Sequence, residues 1–334
     1  MQTPIVPGSG LPGGTRTRTG QVIAAGPADP AGRGGYDAGY NAGYNRGYDS
    51  GFDTGHDLAR TTYWRPFWDV FRQTPLPVPE LDGLAAMAVV PARDEERTLP
   101  IVLAQLRRLP LQATIVVVNG STDGTRGVAE ASGCRVIGYP AALGHDVARA
   151  AGVVGQDPDI WLFTDSDLPI EAEDLVPFLR AAARGVDVAL NDITPFLRSD
   201  GPRHVVSVAK DFLNRALGRA DLGTNSLTAV PHAMTRRAVA AVTAPRLAVP
   251  PLAHAAAILE GLTVEAVHSV DVIAPNRIHA ARVDDRSPQA VERLILGDHV
   301  EALAYVVQRL GARAGFSDLL RQRDVLPSVV PPRG

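Results

Sequence analysis

From residue 85 onward, short apolar runs alternate with longer stretches in which apolar residues recur every three or four positions; before residue 85 no such period exists. The runs at 87–91, 113–118, 135–137, 160–164 and 186–190 are short and mostly rich in β-branched residues, which predicts strands. Between them, 95–108, 125–132, 145–154 and 172–183 carry helical spacing. Repeated strand-helix units imply right-handed crossovers and a mainly parallel sheet flanked by helices, a Rossmann-like α/β core. Ligands of such a sheet sit beyond the carboxyl ends of its strands. Further on, 222–230 reads as a loop with a short strand and 235–242 as a helix. Residues 288–310 form an amphipathic helical segment suited to packing or to a homodimer.

The first 34 residues are rich in Gly, Pro, Thr and Ala, without hydrophobic periodicity, and so cannot offset the entropy of ordering a backbone. A repeat of period four follows, from Gly35-Tyr36-Asp37 to Gly55-His56-Asp57. A glycine in every helical turn costs about 1 kcal/mol each, which favours a flexible linker over a helix. Self-association or partner docking is the alternative role. Tyr63, Trp64, Phe67, Trp68 and Phe71 then cluster at helical spacing and are expected to pack on the domain that follows. The chain divides into a disordered tail and repeat (1–57), an aromatic connecting segment (58–84), an α/β domain (85–280) and a helical extension (281–334).

With 45% hydrophobic residues the chain can bury a substantial core, and a formal net charge of -3 provides no basic field for nucleic acid. Lys210 is the only lysine, so no Gly-Lys-Ser/Thr phosphate loop exists. Cys134 is also alone, which removes internal disulfides and cysteine zinc clusters and makes a reducing cytoplasm the expected setting. No apolar run approaches the length of a membrane span, and the start lacks the pattern of a secretory signal. Peripheral membrane contact is compatible with this composition.

Four motifs fall at expected strand ends. Val89-Val90-Pro91-Ala92-Arg93-Asp94-Glu95-Glu96 runs from a strand into a polar turn, where Asp94 could cap the next helix and the glutamates suit its positive end. Val118-Asn119-Gly120-Ser121-Thr122-Asp123-Gly124 is either a capped turn or a nucleoside-binding loop. In Leu143-Gly144-His145-Asp146 and the following turn, His145 and Arg149 share a face that could meet a diphosphate, or could simply be solvated. Thr164-Asp165-Ser166-Asp167 follows a run expected to be a buried strand. Carboxylates there are costly to desolvate unless paired or bound to a hard cation such as Mg²⁺ or Mn²⁺; a capped turn is the plainer reading.

In this order and spacing the four motifs resemble the glycosyltransferases of the GT-A fold, especially family 2 and the related glucosyl-3-phosphoglycerate synthases. The resemblance is clear over 85–192 and weak over 223–279. It implies that Pro91, Ala92, Arg93 and Glu95 contact base and ribose, and that Ser121 belongs to the second nucleotide loop. It further implies that Asp165 lies against ribose and metal, and that Asp167 coordinates the Mg²⁺ or Mn²⁺ bridging the diphosphate of a UDP- or GDP-sugar. Many relatives carry an aspartate where this chain has Val118 and Asn119, and a lysine near the position of His145. His254, His268 and His279 are the candidates to complete the metal site, with His279 ranked first because it follows an expected strand.

The Glu-Asp pair common in inverting family 2 enzymes is missing around Pro250-Pro251-Leu252-Ala253-His254, which favours a retaining reaction. Asp192 and Glu260 are the remaining candidates for a base. A small phosphorylated acid, a polyprenyl phosphate or a glycan could accept the sugar. Two other classes compete. A nucleotidyltransferase would show a Gly-x-Gly-Thr-Arg loop where this chain has Pro91-Ala92-Arg93-Asp94. A non-catalytic assembly protein would work through its Gly-Tyr repeat and need neither Asp165 nor Asp167.

Overall fold

The computed structural model describes residues 74–197, 203–273 and 288–322. The Gly-Tyr repeat, the aromatic cluster at 63–71 and His279 lie outside them. Seven strands, β1 (Ala86–Ala92), β2 (Ala113–Asn119), β3 (Arg135–Tyr139), β4 (Ile160–Phe163), β5 (Val188–Asn191), β6 (His232–Thr235) and β7 (Val264–His268), form one sheet in the order β3-β2-β1-β4-β6-β5-β7. Every pairing is parallel except those of β6, which runs against both β4 and β5. The carboxyl ends of β1, β2, β4 and β5 therefore share one edge.

Both sheet faces are covered, which explains the near-continuous apolar runs. Along β1, Ala86, Ala88, Val90 and Ala92 face one core with α1 (Leu99–Leu106) and α4 (Ala172–Ala183). Met87 and Val89 face the other, with α3 (Val147–Val153), α6 (Arg236–Val242), the short α7 (Ala244–Leu247) and α8 (Pro250–Leu259). β4 divides likewise, sending Ile160 and Leu162 one way and Trp161 and Phe163 the other, all fully buried. Each such side chain contributes about 1.5–3 kcal/mol. Gly152 lets α3 lie directly on the sheet, since a Cβ there would stand 2.4 Å from Val89 Cγ1 and 3.3 Å from Val117 Cγ2. On the same side, α5 (Val205–Ala216) and α9 (Pro288–Leu310) pack over α8 and share a small cluster of Leu213, Ala255, Ala302 and Val306.

Several boundaries differ from expectation. The helix expected from residue 95 begins at Leu99, with Thr98 as its N-cap, and Asp94 does not cap it. Asp94 instead adopts a left-handed φ of 56° and its carboxylate accepts from Thr122 N at 2.7 Å. The helix expected from His145 begins at Val147, because Asp146 is also left-handed, with a φ of 61°. Expected within 222–230, the short strand lies later, at His232–Thr235. Val78 and Leu81, from the connecting segment, are buried in the first core.

Candidate active site

The loops after β1 and β2 are clasped to each other by reciprocal side-chain to backbone bonds. Asp94 N donates to Ser121 Oγ at 3.1 Å, Glu95 N to Thr125 Oγ1 at 2.7 Å and Glu96 N to Asp123 Oδ2 at 3.0 Å; Gly124 N returns a bond to Glu96 Oε2 at 2.9 Å. The acids that could have been mere helix caps thus hold two turns as one rigid rim. The third loop is tied on by Asn119, whose Oδ1 accepts from Leu143 N at 2.6 Å while its Nδ2 donates to Gly144 O at 3.4 Å. Gly120, at φ +69°, passes under the same loop, where a Cβ would stand 2.5 Å from Ala142 N.

Between these loops and the end of β4 opens a cleft of about 270 Å³. Pro91 and Ala92 line it from the end of β1, Arg93 and Glu95 from the loop that follows, His145 and Arg149 from the third motif, and Asp165 and Asp167 from the fourth. Ser121 and Asp192 are not among its lining residues. Ser121 serves the clasp behind the rim. Asp192 caps β5 on the same edge, two strands from β4, accepting from Thr194 N at 3.1 Å and Asn225 Nδ2 at 2.9 Å. Burial raises its carboxyl, but the bonds from Thr194 and Asn225 outweigh that and hold it below the ordinary carboxylate value.

At the floor of the cleft stands an ion-paired group that the sequence did not assemble. Arg149 Nη2 donates to both oxygens of Asp165, at 2.7 and 2.9 Å, and its Nη1 donates to Asp146 Oδ1 at 2.6 Å. Arg149 is nearly buried, and burial alone would weaken its charge; the nearby charges of Asp165 and Asp146 outweigh this and raise its pKa above the usual value. Behind it lies His232 on β6, in register with Phe163 of β4, its ring 4.9 Å from the Phe163 ring and its Nδ1 3.0 Å from Ala229 O. Burial, with the Arg149 charge, pushes the His232 pKa down to about 4. It is a neutral wedge at neutral pH. Only the position of His232 in an antiparallel strand beside β4 could have revealed it.

Other sequence candidates lie elsewhere. Glu260 caps the end of α8, just before β7, and so sits at the amino edge of the sheet, where Arg309 Nη1 donates to it at 2.8 Å. It cannot serve as a base in this cleft. His254 is fully buried in α8 with Nε2 2.7 Å from Asn214 Oδ1. His268 ends β7, at the far side of the sheet, with Nε2 3.0 Å from Asp174 Oδ1. Neither reaches the aspartates.

The donor set suits a hard divalent cation only in part. Among the described residues no group of three or more His, Cys, Asp or Glu side chains could hold an ion. Mg²⁺, however, is commonly held by one or two carboxylates plus substrate phosphates and water, and Asp165 with Asp167 meets that requirement. Both Asp165 oxygens accept from Arg149.

Residues 87–242 match the family model described as glycosyl transferase family 2. That segment is a little under half of the chain. An uncharacterized glycosyltransferase of Mycobacterium tuberculosis is 34% identical over 106 residues, covering 32% of this chain and 47% of that protein. A glucosyl-3-phosphoglycerate synthase of Mycolicibacterium paratuberculosis is 31% identical over 151 residues, covering 42% of this chain and 41% of that protein. The chain spans less than half the length of these curated relatives. Among solved structures, the M. tuberculosis glucosyl-3-phosphoglycerate synthase crystallised with Mn²⁺, uridine diphosphate and phosphoglyceric acid matches at a TM-score of 0.51. The identity is 18%, over 72% of this chain and 82% of that one. The α/β domain thus has the GT-A arrangement, and its cleft lies at the carboxyl edge of the sheet. No helix among the described residues is long and apolar enough to cross a membrane.

Proposed function

We propose that the protein is a metal-dependent glycosyltransferase that moves a sugar from a UDP- or GDP-linked donor to an acceptor hydroxyl or phosphate. One observation carries the reading: the loops after β1 and β4 and the first turn of α3, separated in sequence, bring Arg93, Glu95, Arg149, Asp165 and Asp167 around a single cleft, at the edge where such sheets bind ligands. The kinship to a synthase solved with uridine diphosphate and Mn²⁺ favours the UDP donor.

In this reading Pro91, Ala92, Arg93 and Glu95 contact base and ribose, on a rim stiffened by Ser121 and its neighbours. Asp165 faces the ribose and the cation, and Asp167 holds the cation. A bound Mg²⁺ or Mn²⁺ would supply a Lewis acid that neutralises charge developing on the departing diphosphate. Arg149 orients Asp165, and its charge offsets part of the negative charge of Asp146, Asp165 and Asp167 at the cleft floor. His145, 47% exposed on the rim with its Nε2 3.5 Å from Asp146 Oδ2, is the residue of the third motif proposed to approach a phosphate oxygen. Asp192, held ionised by Asn225 and Thr194, marks the acceptor side of the same edge. A retaining course agrees with Glu260 standing at the opposite edge. A catalytically inert assembly role would leave the clasped rim and paired aspartates without a task.

Calorimetry with UDP-glucose, GDP-mannose and other donors, with and without EDTA, tests the reading. Donor binding that requires Mg²⁺ or Mn²⁺ is expected. Binding that ignores the cation, or none across the panel, would overturn it.

A further inference from the structure

Three buried side chains from three separate elements are joined in a row that ends at Asp192. Asn214 of α5 and His254 of α8 are fully buried, and Asn225, in the loop before β6, is 4% exposed. His254 Nε2 lies 2.7 Å from Asn214 Oδ1. Asn214 Nδ2 donates to Gly223 O at 2.9 Å and to Asn225 O at 3.0 Å. Asn225 Oδ1 accepts from Ile193 N at 3.0 Å, and its Nδ2 donates to Asp192 Oδ1 at 2.9 Å.

The two amides fix every proton in this row. Asn214 Nδ2 gives its hydrogens to two carbonyl groups, so its Oδ1 can only accept, and His254 must carry its proton on Nε2. His254 Nδ1 is then a bare lone pair, and it has no hydrogen-bond partner among the described residues. Asn225 is held the same way round, because its Oδ1 is taken by a backbone amide. Every donor therefore points from His254 towards Asp192, and donors aligned in one direction strengthen one another. Polar groups this deep are costly, and apolar side chains of similar shape would hold α5 to α8 equally well. Apolar side chains could not aim a donor at Asp192.

We propose that His254, Asn214 and Asn225 are positioning residues that present the Asp192 carboxylate to a hydroxyl of the acceptor. The proposal rests on the assignment of Asp192 to the acceptor side of the carboxyl edge. The bonds from Thr194 N and Asn225 Nδ2 both fall on Oδ1, and Oδ2 is the oxygen to which a hydroxyl can donate. A phosphate dianion has no proton to donate there and would meet a like charge. His254 acts through the others: without its donation Asn214 can turn, Gly223 O and Asn225 O lose their common anchor, and the Asn225 amide is no longer held against Asp192.

Carbon-13 NMR of the aspartate carboxyls in the full chain tests it, with the Asp192 signal assigned by Asp192→Asn and circular dichroism to confirm folding. His254→Phe should raise the Asp192 titration midpoint by about 0.5 in pH or more, because a donor to the carboxylate is loosened. His254→Gln, whose amide can donate from the place of Nε2, should bring the midpoint back. UDP release from UDP-glucose with Mn²⁺, water standing in for the acceptor hydroxyl, should slow in kcat by about threefold or more in His254→Phe, with KM unchanged, and recover in His254→Gln. If His254→Phe does not fold, Asn214→Ser carries the same expectations. An unmoved midpoint in the folded variant overturns the proposal, and so does a midpoint that moves equally in His254→Phe and His254→Gln. A moved midpoint with an unaltered kcat also overturns it. A wild type that releases no UDP removes the donor assignment instead, and the Asp192 titration still decides the relay.

Discussion

Replacing Arg149 by Met removes a guanidinium from between Asp165 and Asp146 while keeping most of the apolar stem. The side chains of Arg149, Asp146 and Asp165 are 11%, 10% and 28% exposed. Breaking a fully buried pair by deleting one partner costs about 3–5 kcal/mol. Asp165 is wet enough to recover part of its hydration, which discounts that figure, since exposed pairs contribute only about 0–1 kcal/mol. The expected loss is therefore about 2–3 kcal/mol. Urea denaturation of wild type, Arg149→Met, Asp165→Asn and the double variant would measure it, with an unchanged m-value as the check that all unfold from the same state. Asp165→Asn alone leaves Arg149 its bond to Asp146, so the two losses should fall short of additive by about 1–2 kcal/mol. Mn²⁺ should stabilise Arg149→Met more than wild type, because the cation replaces a missing positive charge among Asp146, Asp165 and Asp167. A single loss under about 0.5 kcal/mol, or strictly additive variants, would refute the assignment of Arg149 as the counter-ion of the cleft.

Asp167→Asn should abolish metal-dependent transfer while changing stability by less than about 0.5 kcal/mol, since it keeps the shape and loses the charge a cation needs; activity at the wild-type level would remove this residue from the mechanism. Gly152→Ala should destabilise by about 1–3 kcal/mol through its clash with Val89 and Val117, and pairing it with Val89→Ala should recover part of the loss in thermal melts. His254 has its pKa pushed down to about 3, first by burial and then by the charges of Arg219, His299 and Lys210. The unfolded chain takes up that proton below about 6.5, so the stability from neutral His254 is complete above that pH and drains away as pH falls towards 3, by up to about 1 kcal/mol per unit. His254→Gln should flatten the decline between pH 6.5 and 5, and an unchanged slope would show that other groups carry it.

Local pattern alone determined the alternation of strands and helices, because a sheet covered on both faces demands unbroken apolar runs such as those of β1, β2 and β4. It also determined that the four polar motifs close those strands, and it placed the bounds of α4 and α9, whose periodicity meets no competing contact. Where the first and third helices begin was decided by contacts with distant loops: Asp94 gives its carboxylate to Thr122, and Asp146 turns left-handed before α3. Strand order had the same authority over chemistry. Because β6 runs antiparallel between β4 and β5, His232 comes to stand behind Asp165, while Glu260, equally plausible as a sequence candidate, is carried to the opposite edge. A side chain's type and spacing report whether it can ionise, cap or pack; which charge it meets depends on how elements distant in sequence are laid side by side, and only the assembled sheet decides that.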